Sequence, residues 1–209
     1  MEPKDFIDTF VKGWMYHDIK EAIKGKANFL AALGLLSYTE FMGGLVTGQL
    51  RNRQYSQENF KQFICDYFPK EYKDYADNLY EEVRCGLVHE YFVKETNAAN
   101  ATIKYLTGKM GKVINNPDDP EGTANYDCAC AIKMKDGKIE FNVNQYFKDF
   151  KSAVEKYLGA VSRNTPSLKD NFSRIFPVTG PSTTLTINPM GPMGPTGPAA
   201  PIQSSSSGR

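Results

Sequence analysis

Charge of one sign is what this sequence most plainly lacks. Its 25 lysine and arginine residues nearly balance 24 aspartate and glutamate residues, which leaves a formal net charge of +1 at pH 7. A protein with so little net charge has no global field that attracts polyanions or acidic surfaces. Any contact with nucleic acid must therefore depend on a local group of residues.

Histidine is also scarce, because His17 and His89 are the only two in 209 residues. Two imidazoles restrict every acid–base or metal-binding scheme that would use histidine. The sequence has no serine nucleophile motif and no phosphate-binding loop of the type G-x-x-x-x-G-K-[ST]. We therefore exclude serine hydrolases and P-loop NTPases, and we expect no cofactor.

The four cysteines do not indicate a disulfide framework or a complete metal site. Cys128 and Cys130 alternate along a predicted strand, so both face one side and have the spacing of one edge of a metal site. No second Cys or His pair lies near them in the sequence, and only Cys65 and Cys85 are left to complete a zinc site. We predict reduced, structural cysteines and no metal.

Long apolar segments are missing as well. Residues Met1–Asp5 contain no basic region that leads into an apolar stretch, so we expect no signal peptide. No apolar run reaches about 18 residues, the length of a membrane-spanning helix. The best candidate, Phe29–Val46, is interrupted by glycine and polar residues and fits a core helix better. We predict a cytoplasmic protein without a membrane partner.

Proline is unevenly distributed, since eight of the twelve prolines fall at or after Pro166. From Pro177 the chain is rich in Thr, Ser, Pro and Gly, with no charge before Arg209. Its three collagen-like triplets are too few for a triple helix. We predict a helical domain over residues 1–176 and a disordered tail over residues 177–209.

Apolar residues repeat at helical spacing over most of the first 94 residues. The pattern predicts a first helix around Phe6–Met15, a largely buried helix over Lys26–Val46, and a helix that Ser56 caps and Pro69 closes. The most regular apolar stripe falls in a predicted helix over Glu71–Lys94. Its members are Tyr72, Tyr75, Leu79, Val83, Leu87 and Tyr91.

The alternation typical of strands appears later in the chain, over Ala101–Thr107, Asp127–Met134 and Lys138–Val143. Asp136 and Gly137 predict a two-residue hairpin turn, because both residues tolerate positive φ. Asn144 is placed to cap a last long helix at about residues 145–161. The predicted fold is mainly α: an antiparallel helical bundle with a small antiparallel β-hairpin or sheet insertion at about residues 101–143 and a C-terminal helix.

The chemically distinctive pair is Arg84 and His89 in Arg84-Cys85-Gly86-Leu87-Val88-His89, on the Glu71–Lys94 helix. An arginine, four intervening residues and a histidine, late in a series of helices, resemble the defining motif of HEPN (higher eukaryotes and prokaryotes nucleotide-binding) domains. The resemblance covers the helices up to about Lys94. Many HEPN proteins are metal-independent endoribonucleases, often toxins or parts of antiviral defence, which act as dimers with both motifs in a shared cleft.

The resemblance implies a catalytic role for each residue. Arg84 would bind the scissile phosphate, and His89 would move a proton to or from the 2′-hydroxyl or the leaving oxygen. In active nucleases a polar residue, commonly asparagine, often follows the arginine, whereas Cys85 stands here. Five residues turn a helix by about 140°. The two side chains can therefore reach one site in three ways. The arginine swings round, Gly86 loosens the helix, or a dimer brings Arg84 of one chain to His89 of the other.

Further residues suit RNA or nucleotide binding. Arg51 and Arg53, with Tyr55 beside them, form a small basic and aromatic patch, although exposed loops carry such residues routinely. Tyr80 belongs to a tyrosine-rich run that suits either a nucleotide pocket or core packing. We predict a homodimer whose partners are RNA or a nucleotide, and an antitoxin or other protein.

Two other interpretations of Arg84 and His89 stay open. In one, the protein is a non-catalytic module that binds RNA, a nucleotide or a protein through the same residues. In the other, both residues are structural: Glu81, one turn earlier, pairs with Arg84, and His89 forms hydrogen bonds near Glu90. For His17 we expect a solvent-facing or capping role.

Overall fold

The computed structural model is mainly helical with a three-stranded sheet, and it describes residues 1–90, 110–124, 130–135, 138–163 and 165–177. Helix α1 is one continuous run of the turn Pro3–Phe6, the π-helical segment Ile7–Met15 and the α-helix Tyr16–Lys24. Helix α2 covers Asn28–Thr47, and helix α3 covers Ser56–Tyr67 after a 3₁₀ turn at Arg53–Tyr55. Helix α4 consists of Ala76–Asn78, the π-helical Leu79–Arg84 and the α-helical Cys85–Glu90, and the 3₁₀ turn Lys70–Tyr75 precedes it.

The sheet contains strands β1 (Met110–Ile114), β2 (Ile132–Lys135) and β3 (Lys138–Asn142), and helices α5 (Val143–Ser162) and α6 (Pro166–Ile175) follow it. Strands β2 and β3 pair antiparallel, with Lys135 opposite Lys138, so the predicted hairpin is confirmed. The expectation of an entirely antiparallel sheet is wrong, because β1 pairs parallel with β3. A parallel pair needs a long crossover connection, and here the chain returns through β2. The predicted strand at 101–107, the turn at 136–137 and the tail from 178 lie outside the described residues.

Helix α2 lies at the centre of the core and contacts every other helix named above as well as β1. By length and composition alone it is apolar enough to cross a membrane, and 56% of its most apolar window is buried inside the protein. The prediction of a largely buried helix over Lys26–Val46 is confirmed. Its fully buried apolar residues are Ala31, Ala32, Leu35, Leu36, Met42 and Leu45.

The α2 and α3 backbones approach most closely at Gly43. A Cβ atom at this position would lie 1.7 Å from the carbonyl oxygen of Asn59, so only glycine fits. One turn later, Thr47 Oγ1 donates a hydrogen bond to Asn59 Oδ1 at 2.5 Å. This contact fixes the position of α3 along α2.

Asn144 does not cap α5, contrary to the prediction from the sequence. The cap is Asn142, whose Oδ1 accepts the backbone N–H of Gln145 at 3.0 Å. Asn144 is buried, and its amide donates to the carbonyl oxygens of Asn116 and Asp119 at 2.9 and 2.7 Å. It therefore holds the polar loop before β2 against α5.

The two ends of the described chain differ most from the sequence expectation. The first helix continues past Met15 to Lys24, because Ile19 and Ile23 extend its buried face. Trp14, expected on that face, is 51% exposed. Helix α6 was not predicted, although its buried residues Leu168, Phe172 and Ile175 stand at helical spacing.

Replacing Gly43 with alanine tests the α2–α3 contact. We expect Gly43→Ala to lower the free energy of unfolding by about 3 kcal/mol or more, because the methyl group meets backbone that cannot move aside. The control is Gly159→Ala in α5, where a Cβ has nothing within 4 Å. That change should stabilise by about 0.5–1 kcal/mol through helix propensity. Urea denaturation measures both; equal effects of the two variants would contradict the close approach.

Candidate functional site

Arg84 forms an ion pair with a residue that lies 44 positions earlier in the sequence, so that no local pattern connects the two. Its Nη2 lies 2.8 Å from Oε2 of Glu40, in the middle of α2, and the two side chains are 20% and 18% exposed. The expected pairing of Arg84 with Glu81 is not seen. Glu81 instead accepts a hydrogen bond from Gln57 Nε2 at 3.0 Å. The ion pair explains why a carboxylate interrupts the most apolar helix of the chain.

Tyr80, one turn before Arg84, covers the guanidinium. The Arg84 Cζ atom lies 5.5 Å from the centroid of the Tyr80 ring, a cation–π distance. The Tyr80 ring also packs against the Phe60 ring, at 5.5 Å between centroids. Burial raises the pKa of Tyr80 above its usual 10.0, and the carboxylate of Glu40 raises it further. The hydroxyl is therefore protonated at neutral pH.

Ser56 has a role that differs from the predicted one. It is the first residue of α3 rather than its cap, and no side chain caps this helix. The predicted role is wrong because the 3₁₀ turn Arg53–Tyr55 leads directly into α3. Ser56 therefore begins α3 as an ordinary helical residue.

The hydrogen-bonding capacity of the pair is only partly used. Arg84 Nε and Glu40 Oε2 are buried, and neither has an aligned hydrogen-bond partner among the described residues. The contact between Nη2 and Oε2 is short, so we regard it as an ion pair with imperfect direction. Because Nε is buried, a further acceptor such as a phosphate oxygen would have to reach the guanidinium through the exposed 20% of the side chain.

The structure gives the backbone of His89 but not its side chain, which lies outside the described part of the chain. Cys85–Glu90 is α-helical throughout, so Gly86 does not loosen the helix between the two motif residues. The helix therefore turns by about 140° between Arg84 and His89. Their convergence on one cleft stays a prediction.

The predicted RNA patch divides into residues with different surroundings. Arg51 and Arg53 are both exposed, and Tyr55 is half-buried. Arg51 lines a groove with Arg174 of α6, whereas Arg53 does not line it. Arg53 begins the 3₁₀ turn that leads to Ser56, on the side of α3 where Tyr80 lies.

His17 and the cysteines form no additional centre in the described part of the chain. His17 is exposed and lies within the continuous helix α1 rather than between two helices, so the solvent-facing role is confirmed. Cys65 and Cys85 are half-buried, Cys130 is buried, and none of these three forms a disulfide. Among the described residues no three His, Cys, Asp or Glu side chains are grouped to hold a metal ion. Cys128 lies outside those residues.

Sequence analysis missed a buried polar network around Asp149. Tyr72 donates its hydroxyl hydrogen to Asp149 Oδ2 at 2.5 Å and accepts the backbone N–H of Ala131 at 2.9 Å. Gln145 Nε2 donates to Asp149 Oδ1 at 2.9 Å. Burial raises the pKa of Asp149 above its usual 3.8, while the bonds from Tyr72 and Gln145 act in the opposite direction. Tyr72 and Asp149 are 77 positions apart, so no local pattern reveals the contact.

No family model, curated protein or solved structure matches the chain. The functional inference therefore depends on the residues and contacts of the site itself. Arg84, held by Glu40 and Tyr80, is its centre.

A double-mutant cycle tests the ion pair. Arg84→Met leaves the Glu40 carboxylate partly buried without its partner and should lower stability by about 1–3 kcal/mol. We expect Glu40→Gln and Arg84→Met to be non-additive by at least about 0.5 kcal/mol when combined. Urea denaturation gives the four stabilities. The control cycle combines Glu81→Gln with Arg84→Met, and the effects of these two changes should be additive. If Arg84 is coupled to Glu81 and not to Glu40, the assignment of Glu40 as its partner is wrong.

Asp149→Asn tests the buried carboxyl group. The pKa of Asp149 is raised in the folded state, so the protonated carboxyl group stabilises the fold. This stabilisation is complete when the pH is below the usual pKa of 3.8, and it is lost as the pH rises through the folded-state pKa. The stability of Asp149→Asn relative to the unchanged protein should therefore increase as the pH rises from about 4 to 7. Denaturation at a series of pH values measures this, with exposed Asp170→Asn as the control. A relative stability that falls with pH would show that the ionised carboxylate is the stabilising form.

Proposed function

We propose that the protein is a metal-independent endoribonuclease of HEPN type, in which Arg84 and His89 act in the cleft of a homodimer. The observation that carries the proposal is the setting of Arg84. Its side chain is 20% exposed, its guanidinium is held between Glu40 and the Tyr80 ring, and its buried Nε has no hydrogen-bond partner among the described residues. The spacing of Arg84 and His89 on α4 supplies the second reason.

The contacts of Arg84 suit a group that binds a phosphate. An arginine already fixed by a carboxylate and an aromatic ring loses little side-chain freedom when a ligand arrives. Its permanent charge and forked N–H groups stabilise the negative charge that develops on a phosphate during in-line attack. Glu40 lowers the local positive charge, so Arg84 contributes less to the binding of a phosphate than an unpaired arginine would.

His89 would supply the proton transfer. An unperturbed histidine has a pKa of roughly 6.5 and exchanges a proton near neutral pH. As a base it takes the proton of the 2′-hydroxyl, whose oxygen attacks the adjacent phosphorus while the bond to the 5′-oxygen breaks. The leaving 5′-oxygen takes up a proton. The products are a 2′,3′-cyclic phosphate and a 5′-hydroxyl, and the scheme uses no metal ion.

The geometry of α4 favours a homodimer. The guanidinium of Arg84 is directed at Glu40 on α2, and the helix turns by about 140° between positions 84 and 89. A second copy that supplies its own α4 brings Arg84 of one protomer to His89 of the other without breaking the ion pair. With the same resemblance as support, we propose a cytoplasmic toxin or defence protein whose activity an antitoxin or other protein restrains.

A non-catalytic binding module is the second candidate, and two observations favour it. The ion pair with Glu40 partly neutralises the one motif cation, and Cys85 stands where active nucleases often have a polar residue. In this function Arg84 binds a nucleotide or RNA, or joins two protomers, and no bond is broken.

The proposal is tested by incubating mixed RNA with the purified protein in EDTA, alongside His89→Ala and Arg84→Lys. We expect His89→Ala to reduce the cleavage rate by about 10²–10⁴-fold, the usual contribution of a general acid or base. Arg84→Lys should also be impaired, because lysine lacks the planar fork. The matched control is His17→Ala, since His17 is exposed on α1 and distant in sequence from the motif. It should leave the rate unchanged.

Undiminished cleavage by His89→Ala would remove the catalytic mechanism. RNA binding without cleavage by the unchanged protein would favour the non-catalytic module. Termini with a 2′,3′-cyclic phosphate, identified by mass spectrometry, separate this chemistry from cleavage by a metal-dependent contaminant.

A further inference from the structure

A groove of about 370 Å³ lies between the C-terminal end of α2 and helix α6. Arg51, from the connection after α2, and Arg174, from α6, both line it. Both side chains are exposed, and neither forms an ion pair with any residue that the structure describes. Among the residues that the structure describes, no aspartate or glutamate lines the groove. In a protein whose net charge is only +1, two unpaired arginines in one groove are a local positive centre.

The groove depends on the docking of α6 against the end of α2. Asn171 Nδ2 donates to the carbonyl oxygen of Val46 at 2.5 Å, which joins the two helices. Gly48 ends α2 in the left-handed conformation, with a φ of 74° that glycine adopts without strain. A Cβ at Gly48 would lie 3.2 Å from Nη1 of Arg174, so glycine also leaves room for the guanidinium. Arg174 is therefore held beside the connection that carries Arg51.

The remaining surface of the groove suits the rest of a nucleotide. Gln49 and Asn52 supply amide groups that donate and accept hydrogen bonds, and Leu50 and Ile175 supply apolar surface. Its volume falls within the range of roughly 300–1,000 Å³ that is usual for small-ligand pockets. The arginine end of the groove matches a phosphate, the amide groups match a ribose, and the apolar wall matches a base.

We propose that this groove binds one nucleotide unit of a single-stranded RNA, with Arg51 and Arg174 on its phosphate, at a site separate from Arg84. The choice of RNA rests on the proposed function, whereas the recognition of phosphate rests on the groove. Glu40, the partner of Arg84, is eight positions before Gly48, or roughly 12 Å along the helix axis. A short strand spans that distance, so the groove holds RNA at a second point beside the cleavage site.

The experiment measures binding in the absence of cleavage. The full chain carrying His89→Ala is titrated against a fluorescently labelled oligouridylate in EDTA at several salt concentrations. Arg51→Gln and Arg174→Gln are added singly to that chain, and each should weaken binding and reduce the slope of log K against log salt by up to about 0.7, the value of the one phosphate contact that the two arginines share. Arg163→Gln is the control, because Arg163 is exposed at the end of α5 and does not line the groove. It should leave the slope unchanged.

Thermal unfolding of each variant separates binding from structure. Cations beside a helix C-terminus also stabilise the helix dipole. Variants that lower the melting temperature but bind RNA as before would show that this is the role of the arginines, and would overturn the proposal. An equal loss of slope in all three variants would overturn it too, because it would show that only net charge matters.

Competition identifies the chemical group that is recognised. Uridine 5′-monophosphate should displace the oligouridylate from the His89→Ala chain, and uridine should not. Equal displacement by uridine would contradict recognition of phosphate. If the unchanged protein cleaves no RNA while binding still depends on Arg51 and Arg174, the nuclease proposal fails and the groove proposal stands. If the unchanged protein cleaves RNA but binding does not depend on Arg51 and Arg174, the groove proposal fails and the nuclease proposal stands.

Discussion

The approach of α2 to α3 at Gly43 is the contact from which the arrangement of the site follows. The α2 backbone lies so close to Asn59 that no side chain fits between the helices, and the hydrogen bond from Thr47 to Asn59 fixes how far along α2 the second helix lies. That position places Phe60, on α3, against the ring of Tyr80 on α4. Tyr80 in turn covers the guanidinium that Glu40 holds from α2. A close backbone contact thus determines the setting of a side chain on a different helix.

Two polar clusters lie within the core, and they have different roles. Glu40 and Arg84 are opposite charges that largely neutralise one another, so their partial burial is tolerated. Asp149 has no such partner among the ion pairs of the described residues and depends on neutral donors, Tyr72 and Gln145. Burial therefore raises the pKa of Asp149. The Asp149 cluster joins α5 to the turn before α4 and to the chain before β2.

Arg84 and the Arg51 groove are two arginine sites in a protein of near-neutral composition. The two sites have different character, because Arg84 is held by a carboxylate whereas Arg51 and Arg174 have no acidic partner among the described residues. The groove therefore carries the stronger local positive charge. Under the two proposals, Arg84 acts on the phosphate that is cleaved and the groove holds the strand at a second point.

The amino-acid sequence by itself determined the mainly helical class, the buried helix α2, the hairpin of β2 and β3, and the helical setting of Arg84. These features follow from the spacing of apolar residues and from turn chemistry, which act over a few positions. The sequence did not reveal that Glu40 rather than Glu81 pairs with Arg84, that Asn144 holds a loop, that β1 runs parallel to β3, or that Arg174 joins Arg51. The apolar spacing of helix α6 is visible in the sequence, but that spacing does not show which helix α6 packs against. Tertiary structure alone decided these contacts, because each joins residues whose proximity depends on how whole helices and strands pack, and local spacing carries no information about that packing.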